Sequence, residues 1–84
     1  MLHQTKGITL KVTNYSESSV VAQIYTQAFG LQSYLINGAR KPKAKISVNM
    51  LQPFHLLELV VYNKENNNLQ RIKEAQHIPV LKQI

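Results

Sequence analysis

Gly38–Pro53, GARKPKAKISVNMLQP, is the stretch on which the fold turns. Its first half cannot be regular structure, because Gly38 opens it and Pro42 removes a backbone donor inside it. Residues 38 to 45 therefore read as a solvated connection. In the second half Ile46 and Met50 stand four apart with Leu51 adjacent, a spacing that predicts one or two helical turns over residues 46 to 52, closed by Gln52 and Pro53. A loop and short helix between two groups of strands separates one small barrel architecture from another, so the flanking sequence has to be read next.

Upstream, Ile8, Leu10 and Val12 alternate with Thr9, Lys11 and Thr13, the period-two pattern of a strand over residues 5 to 13. The polar run from Asn14 to Ser19 is a turn. Val20, Ala22 and Ile24 share one face of a second strand, through Thr26, and Leu31 to Asn37 resumes a third after Gly30, making a hairpin. Downstream, Phe54 to Tyr62 is dense in Leu and Val and reads as the central strand. Lys64 to Asn68 is a turn, and Leu69 to Gln76 is the last strand. Five strands with a helix between the third and fourth predict an all-β OB-fold, a five-stranded Greek-key barrel. An SH3-like barrel is the alternative, and it would lack that helix. The predicted core joins Leu57, Leu59 and Val61 to Ile8, Leu10 and Ile24. Residues 1–77 form the barrel, and residues 78–84, with Ile78, Val80, Leu81 and Ile84 around Pro79, form a loosely held tail.

The chain has 84 residues and one domain's worth of core, with 44% hydrophobic residues. It contains no cysteine, which excludes disulfides, thiolate zinc sites and thiol nucleophiles and fits a reducing, cytoplasmic setting. The longest apolar runs fall far short of the roughly 20 residues a membrane span requires. His3, His55 and His77 lie 52 and 22 residues apart, without metal-ligand spacing, and no metal or other cofactor is expected. The chain has no P-loop, no dinucleotide-binding glycine pattern and no nucleophile elbow. Nothing in the sequence supports an enzyme.

Charge is the informative feature. Of the net +6, residues 1 to 17 carry +1, residues 58 to 84 carry +1, and the remaining +4 is Arg40, Lys41, Lys43 and Lys45. No acid occurs from Ser18 to Leu57. A run of cations is commonly a solvated face and no more. Beside a barrel it also suits successive phosphates of a nucleic acid, with counterion release as the driving term. Arg71 and Lys73 alternate on the fifth strand and extend the positive track. Tyr25 and Tyr34, on the hairpin, are candidates for base stacking, with core packing as the alternative for each.

Lys6 Gly7 Ile8 with Leu10, Tyr15 Ser16 Glu17, Tyr25 Thr26, Phe29 Gly30, Gly38 Ala39 Arg40 with trailing lysines, and Leu51 Gln52 Pro53 with Leu57 occur in that order over nearly the whole chain. In this it resembles the N-terminal domain of the RecO family of bacterial DNA repair proteins. The resemblance implies an OB-fold, binding of single- and double-stranded DNA, strand annealing, and loading of the RecA recombinase together with RecR. It also implies work on DNA coated by single-stranded DNA-binding protein, in the bacterial cytoplasm at the nucleoid. The family's basic loop falls on Arg40, Lys41, Lys43 and Lys45. Family members continue into a helical domain, sometimes with a cysteine zinc site, so the chain is expected to be a fragment whose tail leads toward that domain. Docking of the single-stranded DNA-binding protein is expected there. A protein-docking barrel, whose basic loop meets an acidic protein partner, is the second functional reading.

Overall fold

The computed structural model describes residues 2–64 and 67–78. Five strands follow in order: β1 (Leu2–Asn14), β2 (Val20–Thr26), β3 (Gly30–Ile36), β4 (Leu56–Tyr62) and β5 (Arg71–His77). They pair antiparallel in the order β3-β2-β1-β4-β5, so β1 lies between β2 and β4, as the OB topology requires. The two outer strands then meet. Tyr34 and Gln70 form a parallel bridge, in which the Leu35 N–H donates to the Gln70 carbonyl at 2.9 Å and the Gln70 N–H donates to the Ser33 carbonyl at 2.8 Å. This closes an all-β, five-stranded OB-fold barrel. The β2–β3 hairpin turns through Gly30, at φ +69°, where the Thr26 hydroxyl accepts from the Phe29 N–H and donates to the Gly30 carbonyl.

The expected helix over residues 46 to 52 is absent. Two successive turns replace it, closed by the Met50 N–H on the Ser47 carbonyl and the Leu51 N–H on the Val48 carbonyl. The reason is how the connection is anchored. Ala39, Ile46 and Leu51 each enter the core, while Met50 is only partly buried, so the apolar residues do not line one helical stripe. The Val48 N–H donates to the Ala39 carbonyl at 3.0 Å, which makes residues 40–47 an excursion pinned at its base. Its stem is tied to the β1–β2 turn, where the Arg40 N–H donates to the Ser18 carbonyl and the Ser19 hydroxyl to Asn37 Oδ1.

The core holds Val20, Ala22, Ile24, Leu57, Leu59 and Val61, as the sequence implies. It does not hold Ile8 and Leu10, which are 39% and 42% exposed. The inward face of β1 is instead Thr5, Gly7 and Thr9. A Cβ built on Gly7 would come within 2.7 Å of Ile24 Cγ2 and 3.1 Å of Leu59 Cδ1, so large neighbouring side chains already fill the interior there. A bulge between Thr9 and Lys11 then shifts the phase, and Val12 packs against the core. Ile8, Leu10 and Val12 therefore do not share a face.

Phe54 lies before β4 rather than in it. It holds a left-handed φ of 69°, with its N–H on the Thr9 carbonyl at 2.6 Å and its ring 79% exposed. Among the described residues, no helix is long and apolar enough to cross a membrane. β5 ends at His77, and the Ile78 N–H donates to the Leu56 carbonyl. The expected tail beyond Ile78 lies outside the described residues.

Candidate nucleic-acid interface

Where β3 meets β5, the outer surface collects cations from three parts of the chain. Arg71 and Leu35 face outward on the two strands. Together they wall two adjoining hollows, of about 320 and 230 Å³. The first is completed by Lys64, Tyr62 and Asn67, the second by Lys45, Lys73 and Asn37. Gln70 fixes this arrangement from beneath. Its buried amide accepts from the Lys64 N–H at 2.9 Å and donates to the Lys64 and Asn67 carbonyls at 2.7 and 3.1 Å. The turn carrying Lys64 is thereby clamped beside Arg71.

Arg40 and Lys41 stand elsewhere. They line a cleft of about 500 Å³ with Ser47, Asn49 and Ala44, none of which lines either junction hollow. Gly38, at φ +71°, starts that excursion, and i→i+3 hydrogen bonds from Lys41 to Gly38 and from Ala44 to Lys41 turn it. Lys43 is exposed within it. The four loop cations thus do not form one cluster: Lys45 joins Arg71 and Lys73, whereas Arg40 and Lys41 form a separate pair. Lys64 is absent from the sequence reading, which placed it only in a turn. The pairing of Tyr62 with Arg71 is the signal that would have found it, because it sets the β4–β5 turn beside the positive end of β5.

Tyr34 is a correction. It is 1% exposed, on the inward face of β3, and so presents no ring face to a base. Burial pushes its phenol up to about 12, and its hydroxyl has no hydrogen-bond partner among the described residues. Tyr25 does lie outside, at 58% exposure. It pairs across β2–β3 with Leu31 and across β1–β2 with Ile8, which pairs in turn with Leu56 on β4. An apolar row therefore crosses four strands on the barrel's outer face.

The histidines are closer than their spacing suggests. Leu57 opposes His77 in the β4–β5 ladder, which brings His55 Nδ1 to 3.2 Å from His77 Nε2, with the rings edge-on at 83°. His77 Nε2 also lies 2.8 Å from the Met50 carbonyl oxygen, which can only accept. His3 meets the Phe29 ring edge-on. Among the described residues, no three His, Cys, Asp or Glu side chains are grouped to hold a metal ion.

A sequence model described as "Recombination protein O N terminal" matches residues 1–80. The DNA repair protein RecO of Azobacteroides pseudotrichonymphae is 38% identical over 82 residues, covering 96% of this chain and 34% of that protein. The RecO proteins of Bacteroides fragilis and Chlorobium phaeobacteroides are 37% and 36% identical, over 90% and 93% of this chain and 31% and 30% of theirs. The chain thus spans about a third of the length of the curated relatives it matches. With strand order, barrel closure and a match over nearly every residue in agreement, the chain belongs to the recombination protein O N-terminal family.

Proposed function

We propose that this barrel is a non-catalytic DNA-binding module of a recombination mediator in bacterial DNA repair. It holds single- and double-stranded DNA through backbone phosphates and contributes to strand annealing and to RecA loading with RecR in the cytoplasm. One observation carries this reading: Lys64, Arg71, Lys73 and Lys45 are gathered from a turn, a strand and a loop along the β3–β5 junction. Solvated cations placed in succession neutralise phosphates without reading sequence, which suits a protein that must act on any damaged site. The family's relatives bear the name of DNA repair proteins, which supports the same reading.

Fluorescence anisotropy with labelled single- and double-stranded oligonucleotides across a salt series tests it. Four engaged cations give a slope of log affinity against log salt of about 3 in magnitude for single strands, at roughly 0.7 per phosphate. Affinities for unrelated sequences should agree. Binding that is absent at low salt, or insensitive to salt, would reject the reading. Saturable capture of an acidic protein in place of DNA would support the docking alternative.

A further inference from the structure

The 40–47 excursion separates two cationic surfaces. Its base is closed by the hydrogen bond from Val48 to Ala39; Ala39 is buried at that base, and Ile46, within the excursion, returns to the core. The chain between leaves the barrel and returns to nearly the same point. Lys45 lines the hollow it shares with Arg71 and Lys73. Arg40 and Lys41 line a different cleft, with Ser47 and Asn49. The two junction hollows adjoin, since Leu35 and Arg71 line both. The cleft of Arg40 and Lys41 shares no lining residue with either.

We infer that the barrel carries two separate seats for nucleic-acid backbone, one along the β3–β5 junction and one in the cleft of Arg40 and Lys41, so that a single domain holds two strands at once. This rests on the DNA-binding reading above and adds to it the number of strands held. Both seats bind the same chemistry, a phosphodiester anion. They differ in composition: the junction offers four cations with Tyr62 and Leu35 as apolar floor, and the cleft offers two cations with a hydroxyl and an amide donor. The junction is therefore the tighter and more salt-dependent seat. The cations of the 40–47 excursion, shared out between the two seats, offset the repulsion between two backbones held on one domain.

The test uses the 84-residue chain and oligothymidylates of about 8 nucleotides, within the site size of one OB-fold. Native mass spectrometry and titration calorimetry at low salt should show two oligonucleotides per chain. Donor- and acceptor-labelled oligonucleotides mixed on one chain should give energy transfer. The triple substitution Lys64→Ala, Arg71→Ala, Lys73→Ala should reduce the stoichiometry to one and abolish the transfer. The pair Arg40→Ala, Lys41→Ala should do the same while leaving the tighter site within about threefold of its original affinity. One oligonucleotide per chain, weakened by both sets of substitutions alike, would overturn the two-seat inference and leave the DNA-binding reading standing. No binding at either stoichiometry would overturn both.

Discussion

Replacing Gly7 with alanine tests the phase of β1 directly. On ordinary grounds the change should help, because alanine restricts the unfolded chain and stabilises by about 0.4–1 kcal/mol where the native backbone accepts it. Here the new methyl would sit 2.7 Å from Ile24 Cγ2 and 3.1 Å from Leu59 Cδ1, with the Tyr25 carbonyl oxygen at 3.3 Å. Carbon atoms pack at about 3.5–4.0 Å, so Ile24 must retreat by about 1 Å. It has nowhere to go. Ile24 is fully buried, and Cγ2 is fixed directly on a branched Cβ, so the strain falls on the β2 backbone. Overpacking of this kind costs about 2 kcal/mol in mid-range, and subtracting an entropic gain of about 0.7 kcal/mol leaves a net loss of about 1.3 kcal/mol. For a domain of this length, with total stability of about 4–12 kcal/mol, that is a substantial fraction. Urea unfolding followed by circular dichroism reads it: with a slope near 1 kcal/mol/M, the midpoint should fall by about 1.3 M at unchanged slope. A midpoint that stays or rises would mean that Gly7 faces solvent and that the inward face of β1 is misassigned.

The remaining predictions concern the core, the buried phenol and the loop. Ile8→Ala should cost less than about 1 kcal/mol, whereas Leu59→Ala should cost about 2–5 kcal/mol; equal losses in chemical unfolding would contradict the outward placement of Ile8. Tyr34→Phe removes an unpartnered buried hydroxyl and should leave stability equal or raised by up to about 1 kcal/mol. Because the folded phenol is held at about 12, above its ordinary 10, the folded state keeps the proton longer, and its stability is full below pH 10 and declines as pH rises toward 12. Unfolding midpoints measured from neutral to strongly alkaline pH should fall less in the phenylalanine variant than in the parent. The fourfold change of Arg40, Lys41, Lys43 and Lys45 to alanine should weaken binding to all DNA sequences alike and flatten the salt slope by about 0.7 per lost phosphate contact. Its thermal unfolding should be nearly unchanged, since exposed charges add little to stability, and an undiminished affinity would remove the loop from the interface.

Strands β2, β3 and β4 were legible in the sequence because each carries its own signal: alternation in Val20–Ile24, a turn at Gly30, and a dense apolar run at Leu57–Val61. The phase of β1 was not. Thr5, Gly7 and Thr9 face inward because Ile24 and Leu59 occupy the space beyond them, and that follows only from the sizes of residues on two other strands. The sequence leaves Tyr34 open between base stacking and the core for a related reason: both faces of β3 carry apolar residues, so alternation alone does not say which is interior. The spacing of Ile46 and Met50 suggested a helix, but Ala39, Ile46 and Leu51 reach the core separately, and tertiary anchoring overrode the local pattern. At the candidate interface, the sequence located the charge of the basic loop but not its partition. That Lys45 turns toward Arg71 while Arg40 and Lys41 turn away depends on the closure of residues 40–47 at Ala39 and Val48.

Barrel closure bears on how the molecule opens. The four antiparallel joints run along most of their strands, but among the described residues β3 and the start of β5 are held by one bridge, whose backbone bonds are donated by the Leu35 and Gln70 amides. A ring yields at its weakest link, so excursions short of global unfolding begin there, and amide exchange at Leu35 and Gln70 should be faster than at the centres of the other joints. The cations of the junction hollows sit astride that same link, Arg71 and Lys73 on the β5 side and Lys45 on the connection leaving β3. A polyanion lying across them stitches the two margins together and slows exchange at both amides by mass action. The clasp most prone to part is the one that a bound strand holds shut.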